Sequence, residues 1–228
     1  MNRWKGSRPL VRTLLLGLAP LLAVPASQAS PLLSEVFYDA VGSDNGVSFV
    51  ELWGEAGTSL EGMTLEGVNG ADGAVSPRLT LVGVIPADGF FVVADDAGGG
   101  VTQVPEADLI LNFDFQNGPD SIVLRQGDRI LDAVGYGEFA PEEVFAGEGQ
   151  PASDGAAGTS LARLFANRDT GDNARDFVLL LVPTPGAAPL EAVPEAGSAG
   201  LLAAGLGGLA RAGRRRSGER SGEPVRLA

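Results

Sequence analysis

Glycine and proline break this chain so often that no segment sustains a helical period, and the pieces between them have the length and alternation of short β-strands. The 33 glycines and 15 prolines fall in nearly every gap. Strands are expected at Leu32–Tyr38, Val47–Trp53, Met63–Val68, Leu79–Val84, Gly89–Ala94, Asp108–Asn112, Ser121–Arg125, Arg129–Tyr136, Thr159–Phe165 and Phe177–Val182. Gly42, Asn45 and Gly46 supply turn residues between the first two, and Gln126-Gly127-Asp128 is short enough for a hairpin turn. Many short strands separated by turn signals, with no internal repeat of fixed period, predict an all-β sandwich. Ala140 to Gly158, rich in Gly, Ala and Glu, reads as a long surface loop. Pro183 to Pro194 carries four prolines and reads as an extended, mobile linker.

The first 29 residues read as a secretory signal peptide. Arg3, Lys5, Arg8 and Arg12 form a basic start, Leu14 to Val24 is apolar, and Ser27-Gln28-Ala29 suits cleavage between Ala29 and Ser30. The apolar run is too short to span a bilayer comfortably, and Pro20 and Pro25 argue against a long packed helix.

An exported chain meets an oxidising compartment, yet this one has no cysteine. The fold must therefore rest on its own apolar core, and no lipid-bearing cysteine is present. Residues 30–186 leave room for one domain. Charge is uneven along the chain. Ten of the 16 basic residues lie before position 13 or after position 210, whereas 27 of the 29 acidic residues lie between Ser30 and Ser198. That stretch carries six positive and 27 negative charges, near −21, and no lysine. Such a surface repels nucleic acid and anionic lipid, and its acidity suits solubility outside the cell.

Beyond a linker at 187–192, residues 193–216 have three parts. Val193-Pro194-Glu195-Ala196 is followed by an Ala/Gly/Leu run from Ala199 to Ala210, and then by Arg211, Arg214, Arg215 and Arg216. As a helix the apolar run reaches roughly 18 Å, short of the hydrocarbon core, and so predicts a short, weak transmembrane anchor. The arginines belong on the cytoplasmic side, as does the N-terminal cluster, so the precursor is expected in the inner membrane transiently with both ends cytoplasmic. Residues 217–228 read as a disordered basic tail. The order of parts resembles the PEP-CTERM sorting signal, with Ala196 where a second proline is usual. The resemblance implies signal peptidase and an exosortase-type enzyme as processing partners, and a mature form at the outer surface or in the extracellular matrix.

A second resemblance covers about 32–186. Its ordered elements are Leu33-Ser34-Glu35-Val36, Phe49-Val50-Glu51-Leu52, Leu60-Glu61-Gly62-Met63-Thr64-Leu65, Ile85-Pro86-Ala87-Asp88-Gly89-Phe90-Phe91-Val92-Val93 and Asn117-Gly118-Pro119-Asp120-Ser121-Ile122-Val123-Leu124. They continue with Asp132-Ala133-Val134-Gly135-Tyr136-Gly137, Ser160-Leu161-Ala162-Arg163, Asp176-Phe177 and Thr184-Pro185-Gly186. Together they are similar to a bacterial lamin tail domain, with Ser34 and Met63 in place of the usual asparagine and tryptophan. The resemblance implies an immunoglobulin-like sandwich acting as an adhesion or interaction module, with a surface protein or extracellular polysaccharide as partner.

With neither histidine nor cysteine, the usual general base, thiol nucleophile and zinc site are missing. Carboxylates are the chemistry left. Glu35 and Glu51, on adjacent strands, have the makings of a glycosidase-like pair, set against structural glutamates. Asp169, Asp172 and Asp176 offer oxygen ligands for calcium on one loop, but Arg168 and Arg175 intrude and the spacing is not that of an EF-hand. The competing reading pairs Asp176 with Arg163 or Arg175. Trp53 and Tyr136 are candidates for stacking on sugar, though strand aromatics more often belong to the core. The sequence therefore predicts no catalytic residue, no cofactor other than possible calcium, and a non-enzymatic module. The alternatives are a calcium-dependent carbohydrate binder or a carboxylate-based polysaccharide-acting enzyme.

Overall fold

Alternation sends every second side chain of a strand to the same face, and two strand sets that each bury one face must stack. A computed structural model of the protein describes residues 29–189 and has this arrangement. Ten strands lie among the described residues: β1 (Leu32–Phe37), β2 (Phe49–Trp53), β3 (Met63–Asn69), β4 (Val75–Thr80), β5 (Phe90–Asp95), β6 (Ala107–Leu111), β7 (Asp120–Gln126), β8 (Arg129–Tyr136), β9 (Ser160–Arg163) and β10 (Phe177–Leu180). One sheet has the order β10-β9-β1-β2-β5-β6 and the other β4-β3-β7-β8. All pairings are antiparallel except β5 with β6.

The core between the sheets is apolar and continuous. Leu33, Val36, Val50, Leu52, Phe91 and Val93 of the larger sheet meet Leu65, Leu79, Ile122, Leu124, Val134 and Tyr136 of the smaller one. Phe49, Val92 and Ala94 alternate with those core residues and form a second cluster with Val104 on the opposite face of the larger sheet. Residues 1–28 of the expected signal peptide and the sorting-tail residues, with Val193, Pro194, Glu195, Ala196, Arg211, Arg214, Arg215 and Arg216, lie outside the described residues, as do residues 190–192 of the proposed linker. No described helix is long and apolar enough to cross a membrane.

Three sequence expectations need correction. The strand expected at Leu79–Val84 sits earlier, at Val75–Thr80. Pro77 is tolerated there because β4 is an edge strand. Residues 81–85 instead leave the sheet and bond to the 58–63 turn, as in Leu81 N–H to the Met63 carbonyl at 2.9 Å.

The 140–158 segment is irregular but does more than cover the surface. It lines the free edge of β8: Ala152 N–H donates to the Gly135 carbonyl at 2.8 Å, and Gly137 N–H to the Ala152 carbonyl at 3.1 Å. An uncovered edge would leave those backbone groups open to another chain.

The Pro183–Pro194 linker does not begin at Pro183. Residues 183–187 turn back across the outer face of the larger sheet as a strap. Thr184 N–H donates to both oxygens of Glu35 (3.0 and 3.2 Å), its hydroxyl to Glu35 Oε2 (2.8 Å), and Gly186 N–H to Glu51 Oε2 (2.5 Å).

Candidate functional site

Glu35 and Glu51 are directly opposed across β1 and β2. A bulge at Ser34 places two β1 residues against Glu51, so that the Ser34 hydroxyl donates to Glu51 Oε1 at 2.6 Å. Both glutamates are buried, Glu51 completely. Burial pushes both carboxyls up, Glu51 to about 8, with the nearby Glu35 charge adding to the shift. The strap closes over them. A glycosidase needs its two carboxyls on either side of a sugar, about 5 Å or more apart. Here they are cross-strand neighbours filled with backbone and hydroxyl donors. The arrangement fastens the strap.

A second centre is built around Arg163, which is fully buried on β9. Asp132 on β8 accepts two bonds from Arg163 Nη2 (3.0 and 2.8 Å). Nη1 reaches Asp176 Oδ2 (3.0 Å) and the Arg168 carbonyl (3.1 Å), and Nε the Leu33 carbonyl (2.9 Å). Every guanidinium nitrogen is thereby engaged. The guanidinium carbon also lies 4.6 Å from the centre of the Phe177 ring. Asp132 further accepts Leu33 N–H at 2.6 Å and Ala133 N–H at 2.9 Å, so one carboxylate ties β1, β8 and β9 together across the two sheets. Burial pushes the Asp132 carboxyl up to about 6 against the pull of Arg163, which leaves it ionised at neutral pH.

The loop carboxylates proposed for calcium part company here. Asp176 is bound by Arg163 and by the Thr170 N–H and hydroxyl, both at 2.8 Å. Asp172 flanks a single helical turn, α1 (Asn173–Asp176), and accepts Gln150 N–H at 3.3 Å. Asp169 stands 3.6 Å from Arg163 Nη1. It joins Asp132 and Glu148, whose ligand oxygens lie within 4.8 Å of one another. Glu148 Oε2 is buried with no hydrogen-bond partner. Burial, then the charges of Asp132 and Asp169, pushes its carboxyl up to about 7. Sequence reasoning missed Asp132 and Glu148. A lone Asp in the apolar Arg129–Tyr136 strand and a lone Arg in Ser160–Arg163 were the available signal, because unlike charges on two core-facing strands demand each other.

Tyr136 is fully buried, stacked on Tyr38 with ring centres 4.3 Å apart, and is no sugar platform. Trp53 is half-buried on the outer face beside β5. The Tyr38 hydroxyl, kept protonated by burial and by Asp154, donates to Asp154 Oδ1 at 2.7 Å, and the Tyr136 hydroxyl to the Gln116 carbonyl at 2.8 Å. These tyrosines sit under the loops at one end of the sandwich. Two open concavities lie there, one of about 460 Å³ beside Asp44, Asp95 and Asp114, the other of about 830 Å³ beside Phe139 and Asp154. Comparison with known protein families, curated proteins and solved structures gives no match.

Proposed function

We propose that this chain is an exported interaction or structural module of the cell envelope or extracellular matrix. Its sandwich is of the immunoglobulin-like, lamin-tail type and is released from the inner membrane by an exosortase-type enzyme. The observation that carries the reading is the fate of the carboxylates. Glu35 and Glu51, the pair a polysaccharide-cleaving enzyme would need, are used to hold residues 184–186 against the sheet. Neither histidine nor cysteine stands by to replace them. Sorting is tested by fractionating cells that carry an epitope within 140–158. Glu195→Ala should leave full-length protein in the inner membrane, because the apolar run still anchors while recognition fails. Arg214, Arg215 and Arg216 changed together to Glu should let the tail pass through, so that unsorted protein is secreted. A Glu195→Ala variant that matures and reaches the surface like the parent would reduce the tail to a plain anchor.

A second reading, calcium-dependent carbohydrate binding, draws support from the convergence of Asp132, Glu148 and Asp169. Arg163 already supplies positive charge to two of the three, so millimolar calcium should leave the melting temperature unchanged. A saturable rise that Asp169→Ala abolishes and Asp172→Ala preserves would favour calcium, because a ligand of the folded state stabilises by mass action.

A further inference from the structure

We propose that the concavity between Pro119, Glu138-Phe139 and Pro151–Asp154 binds a neutral sugar unit of an extracellular polysaccharide. It is an open concavity of about 830 Å³, within the range of small-ligand clefts. Its lining combines the apolar and polar groups that a pyranose requires. Phe139, half-buried, is propped edge-on by Phe145 with ring centres 5.1 Å apart at 73°. Its electron-rich face is suited to the C–H bonds of a sugar ring. Pro119 and Pro151 continue the apolar wall.

The polar side is formed by Glu138, Ser153 and Asp154, all exposed. Glu138 and Ser153 make no side-chain hydrogen bond to the described residues, and Asp154 is engaged through Oδ1 alone, by Tyr38. That bond fixes its direction, since Tyr38 is buried and stacked on Tyr136. Asp154 Oδ2 and the Glu138 carboxylate are then free to accept hydroxyl protons, while Ser153 can donate to a ring or glycosidic oxygen. Gly137 keeps the floor open. Its φ of 96° disfavours any side chain, and a Cβ would come within 2.9 Å of the Pro119 Cα. Uronic acids and other anions are excluded by the two carboxylates and by the strongly acidic domain.

The inference rests on the interaction-module reading and gives it a ligand class. The test uses the purified full chain with cellobiose, chitobiose and mannobiose as neutral probes, digalacturonate as anionic control and trilysine as cationic control. Binding is measured by saturation-transfer NMR and titration calorimetry. At least one neutral disaccharide should bind saturably and digalacturonate should not. Asp154→Asn and Glu138→Gln should each weaken that binding by about tenfold or more, the loss of a hydrogen bond to a charged group, with the melting temperature unchanged. Asn at 154 still accepts the Tyr38 proton, so the fold is kept. Failure of all three neutral probes, binding indifferent to both substitutions, or binding of trilysine alone would overturn the assignment. If the sugars fail while the protein is still sorted to the surface, only this pocket is wrong.

Discussion

Arg163 illustrates how one side chain can decide the pairing of two sheets. A buried ion pair contributes little beyond what an apolar pair of equal volume would, but removing one partner strands the other in a medium that cannot solvate it. Arg163→Leu would leave Asp132 and Asp176 buried without their cation, at a cost of about 3 to 5 kcal/mol. Adding Asp132→Asn should recover part of that loss, since one stranded charge disappears. Urea unfolding of the two variants measures both effects, and an Arg163→Leu cost below about 1 kcal/mol would mean that water reaches the centre. Arg163→Lys should also destabilise. A single ammonium nitrogen cannot replace three guanidinium nitrogens that reach Asp132, Asp176 and the Leu33 carbonyl separately.

At the scale of elements, the strands were legible because their alternation is local. Nine of the ten expected segments overlap their strands almost end to end, and the exception, Leu79–Val84, failed where Pro77 had marked an edge strand. What was not legible is whatever depends on a distant partner. Asn173 shows this. Its side chain accepts Gly135 N–H (2.9 Å) and Glu148 N–H (2.8 Å) and donates to the Ala133 carbonyl (2.8 Å). One buried amide thus continues the ladder along the outer edge of β8, beside the 140–158 segment. In sequence it is one more polar residue in an Asp/Asn-rich loop. The strap was hidden for the same reason. Pro183, Thr184, Pro185 and Gly186 have linker composition, and their function lies wholly in Glu35 and Glu51, more than a hundred residues earlier. The candidate sugar site is the extreme case. It is assembled from three loops, around Pro119, Phe139 and Asp154; the sequence marked Pro119 within a motif and Asp154 only within a long surface loop, and Phe139 not at all. Alternation along one strand carries no information about which loops meet at its end.

The whole molecule combines a stretch, residues 30–198, with a charge near −21 and a set of buried carboxyls whose proton affinity is raised by burial. Glu51 is pushed up to about 8, Glu148 to about 7 and Asp132 to about 6, with Glu35 raised as well. In the unfolded chain these groups lose their protons near pH 4 to 4.5. Between there and the raised values the folded state holds more protons than the unfolded one, so stability declines as pH rises through this window and levels off above about 8. Self-repulsion of the acidic surface acts in the same direction as the remaining carboxyls ionise. Unlike a protein whose carboxylates are held ionised by the fold, this one should melt at a higher temperature at about pH 5 than at about pH 8. Surface and interior contributions can be separated. High salt screens the exposed charges and should raise the melting temperature at pH 8, but it reaches buried groups poorly. Glu51→Gln removes the most strongly shifted proton and should flatten the slope by a few kcal/mol in either salt, while Gln still offers Gly186 N–H an acceptor. Calorimetry of parent and variant across this pH range gives both slopes. A parent whose melting temperature climbs with pH, or a Glu51→Gln variant with the parent's slope, would mean that Glu51 is ionised under the strap and that the strap itself supplies the stabilising charge interactions.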